Sequence, residues 1–430
     1  MKKLAKFVSE QITSDITRLV MNKAKWPEID MNLAVACIES RRKLKGKIQE
    51  WYDNPELIFP LKVSAEQCSS SATAAYKAGL AERMVCADGA KEWRLADLTG
   101  GLGVDSWFFS KKASEVLYNE MKKPLCDAAA YNFQVLGSDN IRVSNHMIVP
   151  EGTIMSTSSD SDASEGTGIT PEGLLSDFQP DIVYMDPARR GEGGKKVFLI
   201  EECTPDVLTL KDEIFGICRH MLIKLSPMAD ISMACSRLGR TCREVHVVAA
   251  GGECKELLIW MDREWNDEYT TVAVEISNDG TSSEFRFKPS EETSAHPLKA
   301  STEESYQPGM IIFEPGKALM KAGAFSLVSE RFRIHKLGTS THYYTADAEM
   351  SDTIRSYGKT FIIKEVHTLD KRSMKAVGKT YPKAEVTARN IPMDTDTLRK
   401  KLGVTSGDDA HIFGLKSDSL GNLLIVTERC

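Results

Sequence analysis

The sequence has few of the features that mark secreted, membrane-spanning or metal-binding proteins. It contains ten cysteines in 430 residues, but no two of them form a C-x-x-C pair, so we expect neither a zinc site of that spacing nor a redox motif. No apolar run approaches the roughly 20 residues that span a bilayer. The eight histidines show no H-x-x-x-H or H-E-x-x-H spacing, and we therefore expect no metal site.

Strong charge of either sign is also lacking. The formal net charge is −6, which argues against a generally basic surface for nucleic acid but leaves a local basic patch open. The N-terminal stretch MKKLAKFVSEQITSDI has no continuous apolar core and no small-residue cleavage site, so it predicts an amphipathic helix and not a signal peptide. These absences together predict reduced cysteines, no membrane partner and a cytoplasmic location.

The chain is too long for one compact core, because domains usually run to about 100–200 residues. Residues 1–92 carry helical periodicity and helix caps with little strand signal, which predicts a helical N-terminal domain. Residues 150–173 are rich in Ser, Thr, Asp and Gly and predict a surface loop. Residues 289–309 have a similar composition and predict a linker between domains.

Seven short apolar runs after residue 92 predict the strands of a mostly parallel sheet with helices on both faces. Only the short GGEC turn joins the last two runs, which predicts a hairpin and an antiparallel sheet edge. From about residue 309 to residue 430, strand and helix patterns alternate again and predict small α+β modules. The seven runs are EWRLADL, EVLYNE, IRVSNH, DIVYMD, HMLIKLSP, EVHVVAA and KELLIWMD.

The stretch LADLTGGLGVDSW, residues 95–107, follows the first predicted strand and contains an acid and three glycines. The strand would end at Asp97, and Asp105 or Ser106 would cap the next helix. A dinucleotide fingerprint fits poorly, because Ser106 stands where the third glycine belongs. An acid before the glycines suits a cationic ligand, and S-adenosylmethionine has an ammonium and a sulfonium but no phosphate. The glycines of the turn are Gly100, Gly101 and Gly103.

Two further acids lie at predicted strand ends. Glu120 ends the second strand about 20 residues after the glycines, where an acid commonly binds ribose hydroxyls. Asp186 and Pro187 end the fourth strand in DIVYMDPARRG. A carboxylate and a carbonyl at this edge can accept hydrogen bonds from an amine and orient its lone pair towards a methyl group. The alternatives are a plain strand-to-helix turn at the glycines and a proline turn at Asp186.

On these residues the chain resembles the class I S-adenosylmethionine-dependent methyltransferases. Within residues 93–265, DLTGGLGVD resembles their first motif, Glu120 their second-strand acid and DPAR their fourth motif. The segments YMDPARRG, IKLSPMADI and AAGGECKELLIW are similar to bacterial methyltransferases that carry a C-terminal THUMP-like domain. Residues 346–430 resemble that domain, and residues 309–345 resemble the small ferredoxin-like module of some members.

The resemblance implies an α/β protein with a Rossmann-like seven-stranded sheet in residues 93–285, a helical N-terminal domain and small C-terminal α+β modules. It implies that Asp186, Pro187 and Arg189 face the methyl acceptor. It also implies that S-adenosylmethionine is held by Asp97, Thr99, Gly100, Gly101, Gly103, Asp105 and Glu120.

The sequence departs from related families in three places. Amino-group methyltransferases carry an aromatic residue after Asp-Pro-Pro, whereas Ala188 and Arg189 follow here, and we expect Arg189 to stack or to bind phosphate through its planar guanidinium. Uracil-5-methyltransferases have a catalytic cysteine after the fifth strand, where this chain has Ser226, so carbon methylation of that type is not expected. After the third strand, Ser144 and Asn145 replace the acid that usually contacts adenine.

A local excess of basic residues lies near the C-terminus. Residues 352–402 contain twelve Lys or Arg against six Asp or Glu, which is typical of an RNA-binding surface. The alternative is a solvated helix face with basic residues near its C-terminal end, where the helix dipole favours them. The candidate RNA-binding residues are Lys371, Arg372, Lys375, Lys379, Arg399 and Lys400.

The sequence therefore predicts an S-adenosylmethionine-dependent methyltransferase that modifies a base nitrogen of structured RNA, either tRNA or rRNA, recruited by the C-terminal modules. Two alternatives stay open. One is a methyltransferase that acts on a protein or a small molecule. The other is a non-catalytic RNA-binding protein with a vestigial cofactor fold.

Overall fold

A computed structural model describes residues 1–89, 91–153, 166–189 and 200–429. The chain divides into two compact units, Met1–Val245 with Glu256–Asp267, and His246–Lys255 with Glu268–Cys430. Most of the predicted surface loop at residues 150–173 lies outside the described residues. Across the described parts of the chain, no helix combines the length and the apolar character needed to cross a membrane.

The first unit begins with a group of helices that pack on one another. Side chains at the helix starts accept hydrogen bonds from free backbone N–H groups, with Asp30 accepting from Asn32 and Leu33 and Ser70 forming a capping box with Thr73. The helices are α1 (Lys2–Glu10), α2 (Ile16–Met21), α3 (Met31–Leu44), α4 (Gln49–Asp53), α5 (Lys62–Gln67) and α6 (Ser71–Cys86).

Strands and helices then alternate from residue 94 to residue 262. In chain order they are β1 (Arg94–Asp97), α7 (Val104–Ser110), β2 (Glu115–Asn119), α8 (Lys123–Val135), β3 (Ile141–Ser144), β4 (His146–Ile148), β5 (Thr167–Ile169), α9 (Pro171–Leu175), β6 (Ile182–Met185), β7 (Ala188–Arg189), β8 (Cys203–Thr204), α10 (Val207–Ile217), β9 (His220–Leu225), α11 (Ile231–Leu238), β10 (Cys242–Ala250) and β11 (Glu253–Asp262).

Seven of these strands lie side by side in the order β10–β11–β9–β6–β1–β2–β3. The pairs β1–β2, β1–β6, β2–β3 and β6–β9 are parallel, and β11 is antiparallel to β9. All four residues of β6 are buried, as in sheets covered on both faces. This order confirms the predicted Rossmann-like α/β class and the seven predicted strands, but the sheet has nine strands in all, so the predicted antiparallel hairpin does not form its edge. Because β1 and β6 are parallel neighbours, their carboxyl ends lie at the same sheet edge.

The N-terminal helices belong to the same compact unit as this sheet. Asn132 of α8 is 1% exposed. It accepts a hydrogen bond from the backbone N of Ile58 at 2.9 Å and donates one to the carbonyl of Ile58 at 2.8 Å. One side chain thus satisfies both backbone groups of a residue in the segment between α4 and α5. The predicted domain limits at residues 92, 285, 309 and 345 stay predictions.

The second unit contains a hairpin, a large sheet and short helices. Its elements are β12 (Thr270–Ile276), β13 (Ser282–Phe287), α12 (Pro289–Ser294), β14 (Ile311–Pro315), α13 (Lys317–Ala322), α14 (Phe325–Phe332), β15 (His335–Lys336), β16 (Tyr344–Ala346), α15 (Ser351–Ile354), β17 (Gly358–Thr368), α16 (Lys371–Thr380), β18 (Lys383–Arg389), α17 (Thr395–Leu402), β19 (Thr405–Ser417) and β20 (Gly421–Arg429).

The large sheet of the second unit has the strand order β15–β16–β14–β17–β20–β19–β18. The strands β14 and β17 pair antiparallel, with Ile311 opposite Ile362. Strands from the predicted ferredoxin-like and THUMP-like segments therefore share one sheet. The helices α13 and α14 do not form one continuous helix, because Gly323 adopts φ 84° between them and ends the first.

The linker predicted at residues 289–309 is wrong. This segment includes α12, and the Glu292 carboxylate accepts hydrogen bonds from the backbone N of Ser326 at 2.7 Å and of Leu327 at 2.8 Å. Ala300 and Tyr306 are each 2% exposed and belong to the core of the second unit. A polar composition misleads here, because a few side chains anchor the segment at its N-terminal and C-terminal parts.

We expect Asn132→Ala to lower the free energy of unfolding of the first unit by about 2–4 kcal/mol, because it leaves two buried backbone groups without partners. Urea denaturation measures this change. The matched control is Asn22→Ala, which removes one local side-chain bond to the Arg18 carbonyl and should change the free energy by less than about 1 kcal/mol. Equal effects of the two substitutions would contradict the anchoring role of Asn132.

Candidate active site at the carboxyl edge of the first sheet

The first acidic side chain of this edge is Asp97, the last residue of β1, which is 1% exposed. Its Oδ1 accepts a hydrogen bond from the backbone N of Thr99 at 3.0 Å, and its Oδ2 accepts one from Oγ of Ser106 at 2.6 Å. Burial raises the pKa of Asp97 to about 7, although both hydrogen bonds act in the opposite direction. Asp97 therefore changes its charge near neutral pH.

The glycine turn after Asp97 is shaped by close packing. Gly101 and Gly103 have φ values of 56° and 85°, in the left-handed region that glycine adopts without steric cost. A Cβ atom on Gly100 would lie 2.1 Å from the ring of Tyr118, and one on Gly103 would lie 2.6 Å from the ring of Phe133. All three predicted glycines are thus required by the local structure.

The predicted cap of the following helix is wrong. Gly103 stands at the N-cap of α7 without a side-chain hydrogen bond, and Asp105 and Ser106 lie inside the first turn. Ser106 instead donates to Asp97. The short glycine turn starts the helix before either polar side chain can reach the cap position.

Glu120 follows β2 and ties the glycine turn to the second strand. It is 8% exposed. Its Oε2 accepts a hydrogen bond from the backbone N of Gly101 at 2.9 Å, and its Oε1 accepts one from the backbone N of Lys122 at 2.8 Å. Burial raises the pKa of Glu120 despite these bonds. Each carboxylate oxygen keeps a further lone pair, so Glu120 can still accept hydrogen bonds from a ligand.

A hydrogen bond between two loops joins the glycine turn to Asp186. The backbone N of Asp186 donates to Oγ1 of Thr99 at 2.6 Å. The side chain of Asp186 is 37% exposed, and Pro187 is buried. The predicted residues Asp97, Thr99 and Asp186 therefore converge at one edge. The side chain of Arg189 and the whole of residues 190 and 191 lie outside the described residues.

Sequence reasoning missed Lys77, which lies on α6 and is fully buried. Its Nζ donates to Oγ of Ser69 at 2.6 Å and to the Glu256 carboxylate at 2.9 and 3.0 Å. It also lies 3.2 Å from Oδ1 of Asp105. The helical pattern around Lys77 contains no signal that separates a buried lysine from an exposed one.

Asp105 is engaged inside the protein. Its Oδ2 accepts hydrogen bonds from Oγ of Ser69 at 3.0 Å and from the hydroxyl of Tyr184 at 2.9 Å. Burial opposes its ionisation, but the ammonium groups of Lys77 and Lys224 outweigh burial and lower the pKa of Asp105. These contacts hold the Asp105 carboxylate inside the first unit, and internal hydrogen bonds hold the carboxylates of Asp97 and Glu120 in the same way.

Lys224 is the second functional residue that sequence reasoning missed. It lies on β9, and its Nζ donates to Oδ2 of Asp186 at 2.5 Å. Burial disfavours its charge, yet the carboxylates of Asp186, Glu256 and Asp105 raise the pKa of Lys224 above its usual value. A usable signal was present, because Lys224 is a lone charge between apolar residues in the strand run HMLIKLSP.

The residues after β3 are occupied by contacts within the first unit. Oγ of Ser144 lies 2.7 Å from Nδ1 of His146. The side-chain amide of Asn145 donates to the carbonyls of Glu120 at 2.6 Å and Met121 at 3.1 Å. These bonds fix the loop that follows the acidic end of β2, and neither residue supplies the missing acid.

The second unit carries the predicted basic residues on two adjoining helices, α16 and α17. A Cβ atom on Gly378 of α16 would overlap with the Leu402 carbonyl at the end of α17, so the two helices are in close contact there. Arg399 is half-buried and pairs with Asp396 at 3.3 Å and Glu385 at 3.9 Å. The exposed basic side chains are those of Lys371, Arg372, Lys375, Lys379 and Lys400.

We expect Gly100→Ala to lower the free energy of unfolding of the first unit by about 1–3 kcal/mol, because the new methyl group must displace Tyr118. The hydroxyl of Tyr118 donates to the Gly101 carbonyl at 2.6 Å, so the substitution also disturbs the turn. The control is Gly79→Ala in α6, where an added Cβ meets nothing within 4 Å. This substitution should raise the free energy of unfolding by about 0.5–1 kcal/mol, because alanine favours a helix over glycine. Urea denaturation that gave the two variants equal stability would contradict this packing.

Comparison with known domains and structures agrees with this architecture. A ferredoxin-like domain model matches residues 312–352, and a THUMP domain-like model matches residues 358–429. The crystal structure of a candidate methyltransferase from Porphyromonas gingivalis W83 is similar to this chain at 26% sequence identity. That match covers 100% of this chain and 98% of the other, with a TM-score of 0.81. No curated protein matches the sequence.

Partial matches to other methyltransferase structures are weaker. A SAM-dependent methyltransferase from Aquifex aeolicus is 12% identical over 44% of this chain and 97% of that chain, with a TM-score of 0.27. A candidate methyltransferase from Streptococcus mutans in complex with SAH is 10% identical over 40% of this chain and 89% of that chain, with a TM-score of 0.25. The identification therefore rests on the full-length match, the sheet order and the two domain models. Over its full length the chain is similar to a candidate methyltransferase, and it carries a ferredoxin-like segment and a THUMP-like domain at its C-terminus.

Proposed function

We propose that this protein transfers a methyl group from S-adenosylmethionine to a base nitrogen of structured RNA, either tRNA or rRNA. The observation that carries the catalytic part is the convergence of Asp97, the glycine turn and Asp186 at one sheet edge, joined by the bond between Thr99 and the Asp186 backbone. The C-terminal modules recruit the RNA in this proposal.

The residues at this edge fit the proposed cofactor. At Gly101 an added Cβ would meet only the Thr99 carbonyl oxygen, at 3.9 Å, so the backbone at this glycine is open to close approach by a ligand. Asp97 supplies a buried carboxylate for the ammonium group, and Glu120 keeps lone pairs for ribose hydroxyls. The cofactor supplies a methyl group on a sulfonium, which is already an activated leaving group.

Asp186 is suited to hold the acceptor. Its backbone is fixed by Thr99 and its Oδ2 by Lys224, while its side chain stays 37% exposed. An amine that donates to the free oxygen would have its lone pair directed by a rigid partner. Positioning of this kind is the main contribution a protein makes when the leaving group needs no activation.

The basic residues of α16 support RNA as the substrate. Helix α16 begins at Lys371, so Lys371 and Arg372 occupy its first turn. The helix dipole disfavours cations there, and helix stability therefore does not explain their position. Binding of phosphate groups does explain it, because exposed lysine and arginine side chains supply most of the affinity for a nucleic-acid backbone.

The protonation of Asp97 gives a test of cofactor binding. Binding should need the ionised carboxylate, whose share falls as the pH drops below about 7. We expect the dissociation constant for S-adenosylmethionine to be about tenfold higher at pH 5.5 than at pH 7.0, as measured by calorimetry. Asp97→Asn should bind weakly at both pH values, whereas Asp127→Asn, an exposed carboxylate on α8, should keep the dependence. Equal wild-type affinity at both pH values would refute the role of Asp97.

The acceptor is tested by transfer of a labelled methyl group to RNA from cells that lack this gene, followed by digestion to nucleosides. We expect label in one nucleoside, and we expect Asp186→Ala to reduce it at least about 100-fold because the acceptor loses its orienting group. Asp127→Asn should leave the transfer unchanged. Absence of label in any nucleoside, from a protein that binds the cofactor, would replace RNA with a protein or small-molecule acceptor.

The basic residues of α16 are tested by measuring RNA binding at several salt concentrations. A Lys371→Glu/Arg372→Glu double variant should weaken RNA binding. The affinity should also depend less steeply on salt concentration, by the amount that corresponds to the loss of about two phosphate contacts. The affinity for the cofactor should stay at the wild-type value. A Lys2→Glu/Lys3→Glu variant in exposed positions of α1 controls for the change in net charge. Equal loss of RNA affinity in both variants would contradict a specific surface on α16.

A further inference from the structure

The ion pair between Lys224 and Asp186 limits what the acceptor site can bind. Nζ of Lys224 donates to Oδ2 of Asp186 at 2.5 Å, and the Lys224 side chain is 13% exposed. Within the described residues no group donates a hydrogen bond to Oδ1 of Asp186. One carboxylate oxygen is therefore held by a fixed cation, and the other remains for an acceptor.

A second layer of charged groups holds Lys224 in this position. Lys77 donates to the carboxylate of Glu256 and lies 3.2 Å from Asp105. The same two carboxylates, with Asp186, raise the pKa of Lys224. Two ammonium groups thus face three carboxylates, so the cluster has one net negative charge. The single positive charge of a bound sulfonium would balance that negative charge.

We propose that Lys224 restricts the methyl acceptor to a neutral nitrogen, because it places a fixed positive charge beside the carboxylate that receives the acceptor. The inference rests on the proposed function, since it assumes methyl transfer next to Asp186. A protein lysine side chain arrives as an ammonium and would meet both the Lys224 ammonium and the sulfonium. An exocyclic amino group of a base is neutral and can donate to Oδ1.

The transfer step is consistent with a neutral acceptor. The carbon–sulfur bond breaks and leaves its electron pair on sulfur, while the nitrogen lone pair forms the new carbon–nitrogen bond. The acceptor nitrogen thereby takes over the positive charge and then loses one proton to water. An ammonium acceptor has no lone pair and would first have to lose a proton in a site that already contains a lysine cation.

The experiment compares the affinities of the full-length protein for S-adenosylmethionine and for S-adenosylhomocysteine, which lacks the methyl group and its charge. Lys224→Gln keeps a hydrogen-bond donor for Asp186 but removes the charge, and Lys224→Arg keeps the charge. We expect the ratio of the affinity for S-adenosylmethionine to that for S-adenosylhomocysteine to be about tenfold higher in Lys224→Gln than in the wild type, because the variant lacks the positive charge that repels the sulfonium. Lys224→Arg and the exposed-lysine control Lys112→Gln should keep the wild-type ratio.

If Lys224 has only a structural role, Lys224→Gln will lower the affinities for both ligands by the same factor. The ratio of the two affinities would then stay at the wild-type value, and this result would overturn the proposal. A second readout is the acceptor itself. The wild type should label RNA and leave lysine side chains of added peptides unlabelled, and label on those lysines would also overturn the proposal. Failure of the wild type to bind S-adenosylmethionine at all would instead contradict the proposed function, so the two failures are distinguishable.

Discussion

The interaction on which the first unit depends is the burial of the Lys77 ammonium between two carboxylates. A buried charge without a partner costs several kcal/mol, so Glu256 and Asp105 must both stay in reach of Lys77. These three residues belong to α6, β11 and α7, which lie far apart in the sequence. The last of the N-terminal helices, strand β11 of the sheet and the helix after the glycine turn are therefore held together by one charge cluster.

This cluster reaches the candidate active site through two neighbours. The hydroxyl of Tyr184 on β6 donates to Asp105, two residues before Asp186 in the chain. The carboxylates of Glu256 and Asp105 raise the pKa of Lys224 on β9, and Lys224 donates a hydrogen bond to Asp186. The acceptor carboxylate is thus fixed from the interior of the unit, whereas the glycine turn is fixed by aromatic packing. Two kinds of constraint thus act on the two sides of one site, and the hydrogen bond from the Asp186 backbone to Thr99 joins them.

The parts predictable from sequence are those with a local signal. The strands of the first sheet are apolar runs bounded by turn residues, and Gly101 and Asp186 stand at strand ends, where ligands bind in open α/β sheets. Lys77 gave no such signal, because its burial depends on Asp105 and Glu256, which are remote in the chain. The segment around Glu292 looked like a linker for the same reason, since its partners at the start of α14 lie more than 30 residues away.

The charged residues of the two units differ in burial and pairing, and each arrangement indicates a different kind of ligand group. In the first unit Lys77 and Lys224 face the carboxylates of Asp105, Glu256 and Asp186, so these five groups carry one net negative charge. In the second unit Lys371 and Arg372 lie exposed at a helix start, where the dipole disfavours them. Matched internal charges select a ligand by the exact number of its charges, whereas unmatched exposed cations bind an anionic surface through many weak contacts. The proposed methyl donor, with its sulfonium, and the proposed RNA, with its phosphates, are ligands of these two kinds.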